Sequence, residues 1–367
     1  MRFVEAFAFW VAKICVLFLI LFCTADPSWA QQAQKNAPAT PPTASSSAPV
    51  AEPIVGHEDW TSITLEGSHF PTAVAVREGG ISNLPQNSFI RELYDVEWRP
   101  NDHLDLYIIR PKNVAKPPVV LYLYGYPQDT ERFKSNAWCT TVTAGGYAAV
   151  GFVSSLTGHR YHDRPMKEWF VSELQESLVT STHDVEMILN YLAQRTDLDM
   201  QRVGMFGQGS GGTIAILASA ADPRIKVLDV LRPWADWPEW LAKSKVVPEA
   251  ERASYLQPEF LARVAPLDPV QWLPKVHAES IRIQDIRRDP ENPEKAQVSL
   301  ETAAPERAEI EQFGDGHAFY PASAGGEIFD WMKEQLQTNS KSLAASTPRV
   351  HYYPPAGSGP EPIPTPK

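Results

Sequence analysis

The chain has 367 residues, a 43% apolar composition and a formal net charge of −11. That length holds one large domain or two average ones and is ample for a packed core. The acidic balance argues against nonspecific binding to nucleic acid or to anionic membranes, which clustered positive charge would require.

At the N-terminus, Arg2 and Lys13 precede an apolar run from Ile14 to Phe22, and Ser28-Trp29-Ala30 puts small residues at the two cleavage-determining positions. The run is short for a bilayer span. Residues 1–30 are therefore expected to be a cleaved signal peptide, with the mature protein secreted or periplasmic and free of a stable membrane span. Cys15 and Cys23 fall in that segment, so Cys139 alone survives maturation and no internal disulfide can form. Cys139 sits in a helix-like stretch and reads as a small buried apolar side chain. No Cys/His spacing suits a metal, and no cofactor is expected.

Residues 31–56, rich in Pro, Ala and Ser, read as a disordered linker, and residues 339–367 as a disordered proline-rich tail. The ordered body is expected over 57–338. It opens with two strand-like runs, ELYDVEWRP and HLDLYIIRP, separated by the turn dipeptide Asn101-Asp102. PPVVLYLYGYP and YAAVGFVSS are continuous apolar runs, suited to strands buried on both faces, with the Cys139 helix between them. Gly158-His159-Arg160-Tyr161 reads as a solvated loop, with a substrate contact from His159 or Arg160 as the alternative. Apolar spacing then predicts a helix over 181–194, with Ser181 or Thr182 as N-cap.

RVGMFG (strand), TIAILASAA (helix), IKVLDVL (strand), a Trp-rich stretch, SIRIQDI (strand), AEIEQFG (strand) and GEIFDWMKEQL (helix) follow. Such alternation predicts an α/β fold: a mostly parallel sheet with helices on both faces and an antiparallel edge. The stretch over about 233–275 forms a small insertion whose tryptophans, Trp234, Trp237, Trp240 and Trp272, read first as packing and second as the lining of an apolar acyl pocket.

The most informative segment is RVGMFGQGSGG over 202–212, where a strand runs through a glycine-rich turn into a helix. This is the setting of a nucleophile elbow, usually G-x-S-x-G. Here the best register is Gly207-Gln208-Gly209-Ser210-Gly211. Gly207 and Gly211 are the small flanks, glycine is central, and the serine comes one place late. Centring Ser210 instead would put the long Gln208 at a flank where it should collide with backbone. The segment lacks the Gly-Lys-Ser/Thr ending of a phosphate loop and the acidic ribose ligand of a dinucleotide fold.

This order of strands and motifs resembles the α/β-hydrolase superfamily, closest to its dienelactone-hydrolase, acetyl-esterase and prolyl-oligopeptidase-like branches, over roughly residues 90–338. The resemblance implies roles for particular positions. His317, in Gly316-His317-Ala318-Phe319 after the last core strand, matches the loop that presents the catalytic histidine. Asp289, in Arg288-Asp289-Pro290, matches the acid that orients it, with Asp285 and Asp236 as weaker alternatives. Tyr124-Gly125-Tyr126-Pro127 stands where relatives carry His-Gly, so the N–H groups of Tyr126 and Ser210 would face an oxyanion. Tyr124 departs from that pattern and reads equally well as a core aromatic.

Two functions follow from this reading. In the first, an exported serine hydrolase acts on a small-molecule carboxylic ester or related acyl bond through Ser210, His317 and Asp289. In the second, Gly209 at the nucleophile position makes the chain a catalytically inactive relative that serves as a binding or scaffold protein.

Overall fold

The alternation of strand and helix patterns builds a single ten-stranded sheet in the order β1-β2-β3-β5-β4-β6-β7-β8-β9-β10. A computed structural model describes residues 57–70, 75–125, 131–156, 160, 170–325, 327–337 and 349–355. The expected signal peptide and linker lie outside the described residues, which all fall in the unit Ile54–Lys367. The strands are β1 (Ala75–Ser82), β2 (Phe89–Arg99), β3 (Asp102–Pro111), β4 (Pro118–Leu123), β5 (Ala148–Phe152), β6 (Asp199–Gln208), β7 (Ile225–Leu231), β8 (Ser280–Ile286), β9 (Ala308–Phe313) and β10 (Arg349–Tyr353). The β1–β2, β2–β3 and β3–β5 pairs are antiparallel and the remainder parallel. The parallel strands therefore end along one carboxyl edge.

Side-chain alternation along β4 divides the core. Val119, Leu121 and Leu123 face one cluster, which holds residues of α2 (Leu174–Leu192) and α3 (Ser210–Ala221). Val120, Tyr122 and Tyr124 face the other, with residues of α1 (Asn136–Thr143) and α9 (Asp330–Gln337). A strand covered on both faces has no polar side, which is why PVVLYL is continuously apolar. Each fully buried Val or Leu stabilises by about 1.5–3 kcal/mol.

Between β7 and β8 lies the Trp-rich insertion, with α4 (Trp237–Lys243), α5 (Pro258–Val264) and α6 (Pro269–Trp272). Its residues join the α2/α3 side of the core. Trp234 stacks on Trp240 at 4.6 Å and Trp237 meets Trp240 edge-on at 5.9 Å, so these rings are packing. After β8 come α7 (Glu294–Thr302) and, after β9, α8 (Gly316–Gly325).

Three expectations change. The helix expected over 181–194 begins at Leu174, so Ser181 and Thr182 are not caps. Their hydroxyls bond back to the carbonyls of Ser177 and Leu178, at 2.8 Å each, which lets them sit buried within the helix. The tail expected over 339–367 contributes β10, parallel to β9, and Tyr353 stacks on Phe313 at 4.8 Å. Its β-branched and aromatic residues, Val350, Tyr352 and Tyr353, favour a strand despite the surrounding prolines. Arg160 is buried rather than solvated, and His159 lies outside the described residues.

The reason for the burial of Arg160 is a network around Asp184. Arg160 donates to Asp184 at 2.6 Å and forms a two-pronged pair with Asp102 at 2.8 and 2.9 Å. Arg99 also reaches Asp184, and Trp98 Nε1 donates to it at 2.9 Å. Arg99 further grips Glu58 at 2.6 Å through two nitrogens, and His183 Nδ1 lies 2.7 Å from Glu58. The segment 57–70 is thus tied to β2 and α2 by buried charge. Such pairs are costly to break because a lone buried charge remains.

Burial alone would raise the pKa of Glu58, but the bonds with His183 and Arg99 outweigh it and lower it from 4.5 to about 2. A depressed folded-state pKa means that the contribution is complete above pH 4.5 and is lost as pH falls toward 2. Glu58→Gln is expected to cost about 2 kcal/mol at pH 7. It should also flatten the pH dependence of stability in that acid window, as urea unfolding of both proteins would show.

Candidate active site at the carboxyl edge

The turn leaving β6 is built around Gly209. Its φ is +56° and ψ −124°, and its N–H donates to the carbonyl of Leu231 on β7 at 2.9 Å. The Gly209 carbonyl then accepts from Gly212 at 2.9 Å and Thr213 at 3.1 Å, which starts α3. The flanks are crowded by backbone. A Cβ on Gly207 would lie 2.4 Å from the Gly211 carbonyl oxygen, and one on Gly211 would lie 2.1 Å from that of Leu123. At Gly209 the closest atom to such a carbon would be Trp234 Nε1, at 3.6 Å. The bend has room for a side chain, and this chain provides none.

Ser210 is the first residue of α3 and is 1% exposed. Its backbone nitrogen lies beside Gly125 at the end of β4, where an added Cβ would approach it to 3.3 Å. Tyr126, the other expected donor, lies outside the described residues. Tyr124 is a core aromatic: its hydroxyl accepts from Trp138 Nε1 at 2.9 Å, and Arg132 sits over its ring at 4.5 Å.

Along the same edge, Asp315 after β9 caps α8 by accepting from Ala318 N–H at 2.9 Å. His317 is therefore in the first turn of a helix, not in an open loop. It is exposed, and among the described residues it forms no hydrogen bond or ion pair.

Asp289 follows β8 and its side chain is only 5% exposed. Its carboxylate takes the Arg232 guanidinium at 2.8 Å and the Glu291 N–H at 2.9 Å. Arg232 (φ +51°) directly follows β7, and Arg288 (φ +59°) precedes Asp289, so two left-handed residues turn this pair together. The structure thus joins Asp289 to Arg232 and forms no bond between Asp289 and His317. Sequence reasoning missed Arg232. The only signal was its place, one residue past a strand adjacent to the one before Asp289.

Neither alternative acid bonds His317 among the described residues. Asp285 is buried within β8, where burial and then the neighbouring Glu301 push its carboxyl well above the usual range. Asp236 caps α4 and accepts from Ser299 Oγ at 2.7 Å. The Cys139 thiol is buried, donates to the Phe133 carbonyl at 3.4 Å and has its pKa raised by burial, so it is no nucleophile. Among the described residues no cluster of His, Cys, Asp or Glu suits a metal ion.

No family model and no curated protein matches the sequence. Solved structures do share the fold. S-formylglutathione hydrolase from Agrobacterium tumefaciens aligns over 71% of this chain and 99% of its own, with a TM-score of 0.53 and 16% identity. An acetyl xylan esterase from Paenibacillus sp. R4 aligns over 70% and 88%, with a TM-score of 0.53 and 16% identity. Acetyl xylan esterase 1 from a Thermoanaerobacterium species aligns over 70% and 87%, with a TM-score of 0.51 and 15% identity. The chain therefore has the α/β-hydrolase fold.

The contrast in crowding around the bend separates packing from strain. Gly211→Ala should cost about 3 kcal/mol or more, because backbone must move. Gly209→Ala should cost only about 1–2 kcal/mol, through its positive φ. Urea unfolding of the two variants checks the order; equal losses would overturn this account of the turn.

Proposed function

We propose that this chain is an exported α/β-hydrolase-fold protein that binds a small acyl-type ligand at its carboxyl edge without forming an acyl-enzyme. The observation that carries this reading is Gly209 at the bend. Covalent hydrolysis needs an oxygen there to attack a carbonyl, an imidazole to take its proton and an acid to orient the imidazole. Gly209 supplies no such atom, Asp289 is held by Arg232, and His317 has no partner acid among the described residues. In this reading the N–H groups of Ser210 and Tyr126 are the donors to a carbonyl or carboxylate oxygen.

A second reading keeps the hydrolase: Ser210 attacks, His317 acts as base and Asp289 turns from Arg232 to the imidazole. It is favoured by the esterase names of the similar structures and by the place of His317 just after β9. Export in either reading rests on the apolar run Ile14–Phe22 and Ser28-Trp29-Ala30. No helix among the described residues is long and apolar enough to cross a membrane.

A fluorophosphonate probe and p-nitrophenyl acetate distinguish the two. The wild type is expected to remain unlabelled and to turn over the ester no faster than Ser210→Ala. Gly209→Ser is expected to introduce labelling at residue 209. Labelling of Ser210 in the folded wild type, with turnover abolished by Ser210→Ala, would establish the hydrolase instead.

A further inference from the structure

The two edge strands of the sheet differ in kind. β1 carries Arg77 and Glu78 and is interrupted by a bulge between Glu78 and Gly80. Charge and bulges are the usual devices that keep an edge from pairing with another chain. β10 has no bulge: its register with β9 is unbroken from Arg349 to Tyr353, and all five residues are exposed. Its one formal charge, Arg349, is taken up by Glu309 of β9. Among the described residues β9 is the one strand beside β10, so the outer edge of β10 is open to pairing.

This edge is also apolar. Val350 and Tyr352, 54% and 57% exposed, point to one face of the sheet. On the other face Tyr353 stacks on Phe313, and Phe313 meets Phe319 of α8 edge-on at 5.2 Å. The next residue, Tyr320, is 68% exposed.

The sequence of β10 selects what can cover it. Set antiparallel to a copy of itself about His351, the strand places Val350 opposite Tyr352 of the second copy, and Tyr352 opposite Val350. A β-branched side chain across from an aromatic one is a favourable cross-strand pair, and symmetry makes it twice. Arg349 falls opposite Tyr353, where a guanidinium packs well on a phenol ring. Pro348 and Pro354 bracket the five residues. A slip of two residues either way would bring a proline, which has no N–H to give, into the ladder. One register therefore remains. Its twofold axis passes through His351 perpendicular to the sheet, and the assembly closes at two copies. Pairing of β10 with β1 of a neighbour would meet the bulge and leave an open-ended chain.

We propose that β10 is an interface between two copies of this chain, joined as antiparallel edge strands into one continuous sheet. A five-residue ladder is small against the roughly 800 Å² per partner of a stable interface. The dimer is therefore reversible, with a Kd on the order of 10 μM. It is independent of whatever the carboxyl edge binds or cleaves.

The test is sedimentation equilibrium of the full chain over about 1–200 μM, in roughly 0.15 M salt to screen the net charge of −11 on each copy. A monomer–dimer equilibrium is expected. The residue on the axis supplies the discriminating variants. His351→Lys sets two ammonium groups face to face and should weaken the dimer at least about tenfold, and His351→Glu should do the same with two carboxylates. An equal mixture of the two variants should recover the dimer, because only the mixed pair faces opposite charges. A wild type that stays monomeric throughout would overturn the proposal. So would a dimer that His351→Lys leaves intact, or a mixture that recovers nothing. If either variant does not fold, Tyr352→Ser decides: it removes the paired ring from the same exposed strand and should also weaken the dimer about tenfold.

Discussion

Backbone meets backbone where β4, β6 and α3 converge, and the carboxyl edge is organised around that contact. Gly207 and Gly211 lie so close to neighbouring carbonyls that no side-chain carbon fits at either. Gly125 is similarly confined, since a Cβ there would come within 2.7 Å of the Gln208 carbonyl oxygen. These three positions locate the bend, and the residue at its tip does not. A glycine can therefore occupy the tip, while strand, turn and helix keep their geometry.

Charge is handled differently in three places among the described residues. Around Asp184, carboxylates and guanidiniums are paired and hydrogen-bonded in a nearly closed set, which suits a structural clamp on residues 57–70. At the carboxyl edge, Arg232 and Asp289 pair with each other, whereas His317 stands exposed with no hydrogen-bonded acid among the described residues. In the insertion, Asp236 and Asp268 accept from neutral donors alone among the described residues. The buried pairs explain part of the stability of the fold. The unpaired groups mark where a ligand would change the electrostatics most.

The strands could be read from the sequence because burial on both faces leaves continuous apolar runs, as in β4 and β5. The turn between β6 and α3 was legible for a related reason: only glycines at 207 and 211 allow so close an approach. Other features carried no local signal. The start of α2 was hidden by Ser181 and Thr182, which look like caps until their hydroxyls find carbonyls one turn back. β10 was hidden by the prolines around it. The partners of Arg160 and Asp289 come from other elements, Asp102 and Asp184 for the first and Arg232 for the second. Side-chain pairing across such separations depends on the finished sheet and leaves no trace in residue spacing.

The strand order also bears on how the molecule is assembled. β4 lies beside β6 in space, yet α1, β5 and α2 all intervene along the chain. The glycine contact at the bend joins two segments that cannot meet until the material between them has been drawn to one side of the growing sheet. Loop closure of this kind makes folding slow and leaves the centre of the sheet uncovered for longer than its edges. The hairpin of β2 and β3, joined by a tight turn, can form at once and serve as the template. The region most distinctive of this fold would then be among the last to take shape.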